Sequence, residues 1–235
     1  MRRSSEDHPS LGGSLLSDFI LGSQDGVVNV LGILLGLLAA DTSSRVILIA
    51  ALAALAAESI SMSAVAYTST LARRRLYLSE VERERREMAE MPLEEVEEVR
   101  AILRDWGYEG AEQEEMLARI RSKPKAMLDL MMAFELHLAP VDASAAGRSA
   151  LIVGVATVVG SFVPLIPIFF TSSPLTIAIG SVVLSGAMLF AIGWYEARTT
   201  LGSLWSSGAR MLLIGLAAGF AGFLIGHILG SLPAG

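Results

Sequence analysis

Residues 18–40 read DFILGSQDGVVNVLGILLGLLAA, an apolar run with an internal carboxylate at Asp25. About 20 apolar residues in a helix cross a hydrocarbon core of about 30 Å, so this run predicts a transmembrane helix. Asp25 would lie about two turns inside that helix, with Asn29 one turn further along the same face. An ionised carboxylate at the bilayer centre costs about 2.5–3.5 kcal/mol, so we expect a cation, a proton or a partner group to compensate it. The alternative is a carboxylate near the interface that reaches water or caps a helix.

The composition is that of a membrane protein with one charged region. The chain is 53% hydrophobic and 18% charged, and residues 72–148 hold 17 of its 24 acidic residues and 13 of its 18 basic residues. The net charge is −6 and no basic patch is interleaved with aromatic residues, so we expect no nucleic-acid partner. Cysteine is absent, which excludes disulfides, thiolate metal sites and thiol catalysis.

Four further runs have the length of a membrane span: residues 46–70, 150–171, 175–195 and 211–232. We therefore expect an all-α integral membrane protein with five transmembrane helices and a three-helix cytoplasmic domain inserted between the second and third. The expected divisions are a polar N-terminal segment (1–17), helices 1 and 2 (18–71), the cytoplasmic helical domain (72–148) and helices 3 to 5 (149–235). The N-terminal segment lacks the features of a signal peptide.

The basic residues predict how the chain is oriented in the membrane. If the N-terminus is inside, the cytoplasmic side receives the inserted domain and Arg2, Arg3, Arg198 and Arg210, and only Arg45 lies outside. The N-terminus and the insert are therefore expected in the cytoplasm and the C-terminus outside or in a lumen. The membrane would be the inner membrane of a prokaryotic cell, or otherwise a vacuolar-type membrane.

Glycine and proline mark where the helices are expected to end. None occurs from residue 37 to 91, which predicts one continuous helix over residues 46–91. Pro92 is expected to begin a second helix that Gly107 ends. A third helical region is predicted over residues 110–138, with an interruption at Lys123-Pro124.

Two features of the last spans predict local packing. Pro164 and Pro167 should interrupt the third span, and neighbouring protein should then satisfy the freed carbonyl groups. The fifth span carries glycine at three- or four-residue spacing, which permits close contact with another helix. Its glycines are Gly215, Gly219, Gly222, Gly226 and Gly230.

Glu58 and Met62 lie one turn apart on one face of the second span. Together with Asp25 they suggest a path for a divalent cation, because carboxylates attract the charge and a thioether favours a transition metal over magnesium or calcium. The same acids can take up protons when the ion leaves. The alternative role of Met62 is to fill a gap in the packing.

Carboxylates of the inserted segment also pair along helix faces. Glu84 with Glu87, and Glu95 with Glu98, are spaced i, i+3 and could converge on one ion. Two alternatives are open, since charged helices usually carry such residues as a solvated face, and nearby arginines could pair with these acids instead. Those arginines are Arg83, Arg85 and Arg86. The last predicted helix adds two thioethers and a carboxylate on a shared face, at Met131, Met132 and Glu135.

Four motifs carry a resemblance to a known family. They are Asp25-Gly26 in the first span, Ser59-Ile-Ser-Met62 with Tyr67 in the second, Val163-Pro-Leu-Ile-Pro167 in the third and Ser207-Gly-Ala-Arg-Met-Leu-Leu-Ile-Gly215 in the fifth. With them the chain from residue 18 onward resembles the vacuolar iron transporter family.

The resemblance implies a homodimeric, proton-coupled exporter of Fe²⁺, and also of Mn²⁺, out of the cytoplasm, with no prosthetic group. By position, Asp25 and Met62 look like pathway residues at the dimer interface. Plant members carry a glutamate where Ala54 stands here, and Glu58 lies one turn closer to the cytoplasm. The residues that look like the family's cytoplasmic metal ligands are Glu84, Glu87, Glu95, Glu98, Met131, Met132 and Glu135.

Two other functional classes are open. A non-transporting metal sensor or membrane scaffold would keep the ligands of the insert without needing Asp25. A carboxylate-bridged di-iron enzyme would need Glu-x-x-His pairs, and His8, His137 and His227 do not have that spacing, so we do not expect an enzyme.

Overall fold

The computed structural model describes residues 10–200 and 202–231, which within these limits form helices and connecting loops without any strand. Five helical stretches are long and apolar enough to cross a membrane, as predicted. The helices are α1 (Ser10–Ala39), α2 (Ser44–Glu90), α3 (Pro92–Asp105), α4 (Gly110–Arg121), α5 (Pro124–Phe134), α6 (Ala145–Phe162), α7 (Pro174–Thr199) and α8 (Leu204–Gly230), with a 3₁₀ helix (Val163–Phe169) after α6.

The chain folds as two compact units. The membrane unit comprises the described residues up to Tyr67 and from Gly147 onward, and the inserted unit spans Thr68–Ala146. Helix α2 belongs to both, since it runs from Ser44 to Glu90 without a break, as the absence of glycine and proline predicts.

Helix α1 is central in the membrane unit and packs against α7, α8 and the 3₁₀ helix. Its buried Leu31 and Leu34 join Ile47 of α2, Leu165 of the 3₁₀ helix and Ile177 of α7 in one apolar core. Large apolar side chains also cover the outside of the unit, as expected of a surface that faces lipid tails. Ile60, Leu151 and Phe220 are examples of these exposed side chains.

Glycines of α8 lie directly against the backbone of α1. A Cβ atom added to Gly222 would overlap the carbonyl oxygen of Gly32, and one added to Gly226 would overlap that of Gly36. The close contact predicted for the fifth span is therefore observed, and its partner is α1. Such contacts stabilise helix pairs in membranes through van der Waals packing of the two backbones.

The third span changes from α-helix to 3₁₀ helix at its two prolines. Helix α6 ends at Phe162, and Pro164 and Pro167 lie in the following 3₁₀ helix. The hydroxyl of Ser181 on α7 donates a hydrogen bond of 2.6 Å to the carbonyl oxygen of Pro164. The predicted interruption is thus confirmed, and a neighbouring helix satisfies a carbonyl group beside it.

Helices α3, α4 and α5 of the inserted unit enclose a small core of their own. Its buried residues are Val99, Leu103, Leu117, Met127 and Met131. Helix α3 ends before Gly107, whose positive φ of 87° suits a residue that follows a helix. The prediction of a helix reaching residue 138 is wrong at its end. Helix α5 stops at Phe134, and the chain turns at His137, which has a positive φ of 54°.

Replacing Gly26 by alanine tests the close packing of α1. An added Cβ would overlap the carbonyl oxygen of Thr157 and lie 2.8 Å from the amide nitrogen of Ser161, and backbone atoms cannot move aside cheaply. We expect Gly26→Ala to cost about 1–3 kcal/mol or more and to lower the unfolding temperature in detergent. Gly147→Ala is the control, because nothing lies within 4 Å of its added Cβ. Equal unfolding temperatures for the two variants would contradict this packing.

Candidate functional site

Two carboxylates from neighbouring helices meet in the membrane unit. The side-chain amide of Asn29 on α1 donates a hydrogen bond to Oε1 of Glu58 on α2. The Asp25 carboxyl group is also close enough to Glu58 to interact with it. The second oxygen of Glu58, Oε2, is buried and has no hydrogen-bond partner among the described residues. A buried, unpaired carboxylate oxygen within an apolar span is costly unless a cation or a proton reaches it.

The sequence of α1 explains why its acid meets α2. An added Cβ on Gly22 or Gly26 would overlap carbonyl oxygens of α6, so one face of α1 is reserved for backbone contact. Asp25 and Asn29, spaced i, i+4, lie together on another face. On that face Asn29 contacts Glu58 of α2. Small residues thus bring α1 close to α6 while its polar residues meet α2.

The structure brings Asp25 and Glu58 together but adds a partner that was not predicted. Asn29 was identified only as sharing a face with Asp25, and its bond to Glu58 depends on the register between two helices. Met62 is half-buried on α2, one turn beyond Glu58. Ser59 is satisfied within its own helix, because its hydroxyl donates to the carbonyl oxygen of Leu55 at 2.7 Å.

A second cluster of carboxylates lies in the inserted unit. Glu84 and Glu87 of α2 and Glu95 of α3 each offer an oxygen within 4.8 Å of the other two. Glu84 is 1% exposed and Glu95 is 3% exposed. An oxygen of each of these two, Oε2, has no hydrogen-bond partner in the described part of the chain. Since buried charges in proteins are paired or bind metal ions, three convergent carboxylates, two of which have an unpaired buried oxygen, fit a divalent cation.

Glu98 and Glu135 extend this cluster. Burial raises the pKa of Glu95 to about 7, and the nearby carboxylate of Glu98 adds to the effect. Burial likewise raises the pKa of Glu135 to about 7, again with Glu98 close by. Both shifts have one physical reason, since partly buried carboxylates that lie close together retain their protons more strongly.

The two methionines predicted as ligands are buried near the end of α5. Met131 is fully buried and packs in the core of the inserted unit with Val99 and Leu103. Met132 is also buried. Core packing explains the position of Met131, and the ligand role of both thioethers stays a prediction.

A basic side chain reaches the carboxylate cluster. The guanidinium group of Arg83 lies 2.9 Å from Glu80, 3.4 Å from Glu87 and 3.7 Å from Glu84. The sequence allowed ion pairs as an alternative for these acids, and Arg83 forms them. Glu80 was not predicted, although it precedes Glu84 by one turn. Arg85 pairs instead with the exposed Glu82, at 2.9 Å.

Known proteins resemble this chain over most of its length. The sequence model of the VIT family matches residues 16–227. Vacuolar iron transporter 1 of Arabidopsis thaliana is 32% identical over 216 residues, which cover 92% of this chain and 86% of that protein. Vacuolar iron transporter 1 of Eucalyptus grandis is 34% identical over 211 residues, covering 90% of this chain and 85% of that protein. The vacuolar iron transporter of Plasmodium falciparum is 28% identical over 223 residues, covering 91% and 82%.

These three relatives are named as transporters, as expected for a chain that is not an enzyme. The family match spans both the membrane unit and the inserted unit. The chain belongs to the VIT family.

Proposed function

We propose that this chain transports Fe²⁺, and also Mn²⁺, out of the cytoplasm across a membrane in exchange for protons. The observation that carries the proposal is the meeting of Asp25 and Glu58 inside the apolar spans, with one Glu58 oxygen buried and unpaired among the described residues. Membership of the VIT family, whose relatives are named vacuolar iron transporters, supports metal transport and indicates iron as the cargo.

Asp25 and Glu58, here called the membrane cluster, could bind either a metal ion or protons. The proposed exchange requires both of these states. Two adjacent carboxylates in a medium of low dielectric repel each other strongly unless positive charge lies between them. A divalent cation supplies that charge while it crosses, and protons supply it after the ion has left. The side-chain amide of Asn29 donates a hydrogen bond to Glu58 and helps to fix its position. Met62 would add a thioether that favours a transition metal.

A homodimer would complete this pathway. Asn29 lies in an apolar span yet is exposed in the single chain, and lipid tails offer it no hydrogen bonds. Only 17% of the residues in the most apolar part of α2 are buried within the single chain, which leaves a large face for a second copy. A twofold interface along α1 and α2 would cover Asn29 and place Asp25, Glu58 and Met62 of both copies around one path.

The inserted unit would collect the ion before transport. Its carboxylates supply the oxygen ligands Glu84, Glu87, Glu95, Glu98 and Glu135. Met131 and Met132 would supply softer sulfur ligands. The distribution of Lys and Arg supports a cytoplasmic position for this unit and for the N-terminus, with the C-terminus outside or in a lumen. The membrane would be vacuolar in a eukaryote, or the inner membrane in a prokaryote.

The second candidate is a membrane metal sensor or scaffold that does not transport. The carboxylate cluster of the inserted unit favours it, because three convergent carboxylates could bind metal without any flux through the membrane unit. Flux through purified protein separates the two functions, since only a transporter requires the membrane cluster.

Asp25→Asn and Glu58→Gln test the proposed pathway. Each substitution removes a charge from the span with little change in shape, so we expect Fe²⁺ and Mn²⁺ flux into proteoliposomes to fall at least about tenfold, while assembly measured by size-exclusion chromatography is retained. Asp41→Asn is the control, because Asp41 is exposed and its positive φ of 54° suits asparagine. Wild-type flux in the Asp25 variant would contradict the pathway. Metal binding without flux in the unmodified chain would favour the sensor.

Glu84→Gln combined with Glu95→Gln tests the cluster of the inserted unit. Loss of two convergent carboxylates should weaken Zn²⁺ or Co²⁺ binding by the full-length protein at least about tenfold in calorimetry. Glu82→Gln is the matched control, because Glu82 lies on the same helix but pairs with Arg85 and is exposed. Unchanged affinity in the double variant would show that these buried acids do not bind the metal.

The pH dependence of binding follows from the two raised pKa values. Glu95 and Glu135, with pKa values of about 7, hold protons below that pH in the metal-free protein. A metal must displace these protons, so affinity should rise from pH 6 to pH 8, with proton release detected as a buffer-dependent heat in calorimetry. Glu95→Gln should reduce the slope, because its amide does not titrate. A flat affinity profile over this window would show that these carboxylates are not ligands.

A further inference from the structure

Arg83 contacts every α2 carboxylate of the inserted cluster. Its guanidinium lies 2.9 Å from Glu80, 3.4 Å from Glu87 and 3.7 Å from Glu84. Glu84 and Glu87 are two of the three acids whose oxygens converge, whereas Glu80 is outside that group. The arginine therefore places a positive charge beside the position where a divalent cation would be attracted.

The shortest of these contacts, with Glu80, offers Arg83 a partner other than Glu84 and Glu87. The pair with Glu80 spans one helical turn, i to i+3, and is independent of the convergent oxygens. The Arg83 side chain is 45% exposed, while that of Glu84 is 2% exposed. A long, half-exposed side chain can move without disturbing the core, so Arg83 could leave Glu84 and Glu87 while Glu80 still holds it.

We propose that Arg83 is an internal counter-ion that sets the metal affinity of the inserted cluster. Without metal, its charge relieves the repulsion between Glu84 and Glu87. Metal binding displaces the guanidinium group toward Glu80. This inference rests on the proposed metal-collecting function of the inserted unit.

The consequence of this exchange is a weaker site. A cation that enters the cluster must first replace an existing favourable interaction, so part of its binding free energy is lost. A site that passes its ion onward benefits from such competition, because dissociation becomes faster when a built-in cation can return. Arg83 is therefore a positioning and affinity-determining residue, and it would not itself bind the metal.

The same helix provides a matched control. Arg85 follows two residues later and pairs with Glu82, at 2.9 Å. Arg85 is 59% exposed and Glu82 is 69% exposed, and Glu82 is not one of the convergent acids. Removing either arginine deletes one positive charge from α2, but only Arg83 contacts the cluster.

The experiment measures Zn²⁺ binding by calorimetry, with Co²⁺ absorption as a spectroscopic check, on the full-length protein in detergent. The variants are Arg83→Gln, Arg83→Lys and Arg85→Gln. We expect Arg83→Gln to bind Zn²⁺ about tenfold more tightly or better, because one positive charge a few ångströms away is removed. Arg83→Lys, which keeps the charge, and Arg85→Gln should stay near the affinity of the unmodified chain. Because the membrane cluster is the same in all variants, it contributes equally to each titration.

Equal or weaker Zn²⁺ binding by Arg83→Gln, in a chain whose binding is weakened by Glu84→Gln with Glu95→Gln, would overturn the role of Arg83 and leave the proposed metal site standing. Absence of Zn²⁺ binding by the unmodified chain would overturn that metal site, and this inference with it. If the glutamine variant does not fold, Arg83→Met gives the same comparison, because it removes the charge and keeps the apolar stem of the side chain.

Discussion

The carboxyl groups of Asp25 and Glu58 lie beside each other within helices that are otherwise apolar. Water does not screen their repulsion there as it does at a protein surface, and the Asn29 amide satisfies only one oxygen of Glu58. Positive charge beside them would lower the cost of keeping both acids in an apolar span. In the proposed function the transported cation supplies this charge, and protons supply it between transport events.

The inserted unit also holds carboxylates that are buried close together, in this case outside the apolar spans. Glu84 and Glu95 are almost fully buried, and each keeps an oxygen without a hydrogen-bond partner among the described residues. The pKa values of Glu95 and Glu135, raised to about 7, and the nearby charge of Arg83 both lower the repulsion between these carboxylates. In the proposed function, an incoming metal ion would displace protons and the arginine from this cluster.

Features that depend on the residues of a single helix could be predicted from the sequence. The lengths of the apolar runs gave five spans, and the absence of glycine and proline predicted the unbroken α2. The end of α5 was missed because Phe134 is followed by no glycine, and the chain instead turns at His137. A positive φ is uncommon for residues other than glycine, so the turn at His137 was not expected.

Contacts between helices were harder to predict, because periodicity identifies a face but not its partner. The glycines of α8 predicted a close contact, yet only the structure shows that Gly32 and Gly36 of α1 receive them. Asn29 meets Glu58 through a register between two helices that spacing along one helix does not define. The acids themselves could be identified from the sequence, because a carboxylate in an apolar run is unusual wherever it occurs.

In the proposed function, Asp25 and Glu58 exchange a metal ion for protons. Recording metal entry and lumenal pH together, in proteoliposomes that contain the purified chain, tests this exchange. We expect Fe²⁺ or Mn²⁺ moving in one direction to drive protons in the other, and an imposed pH gradient to drive metal flux. Metal entry with no accompanying proton movement, under either gradient, would contradict it.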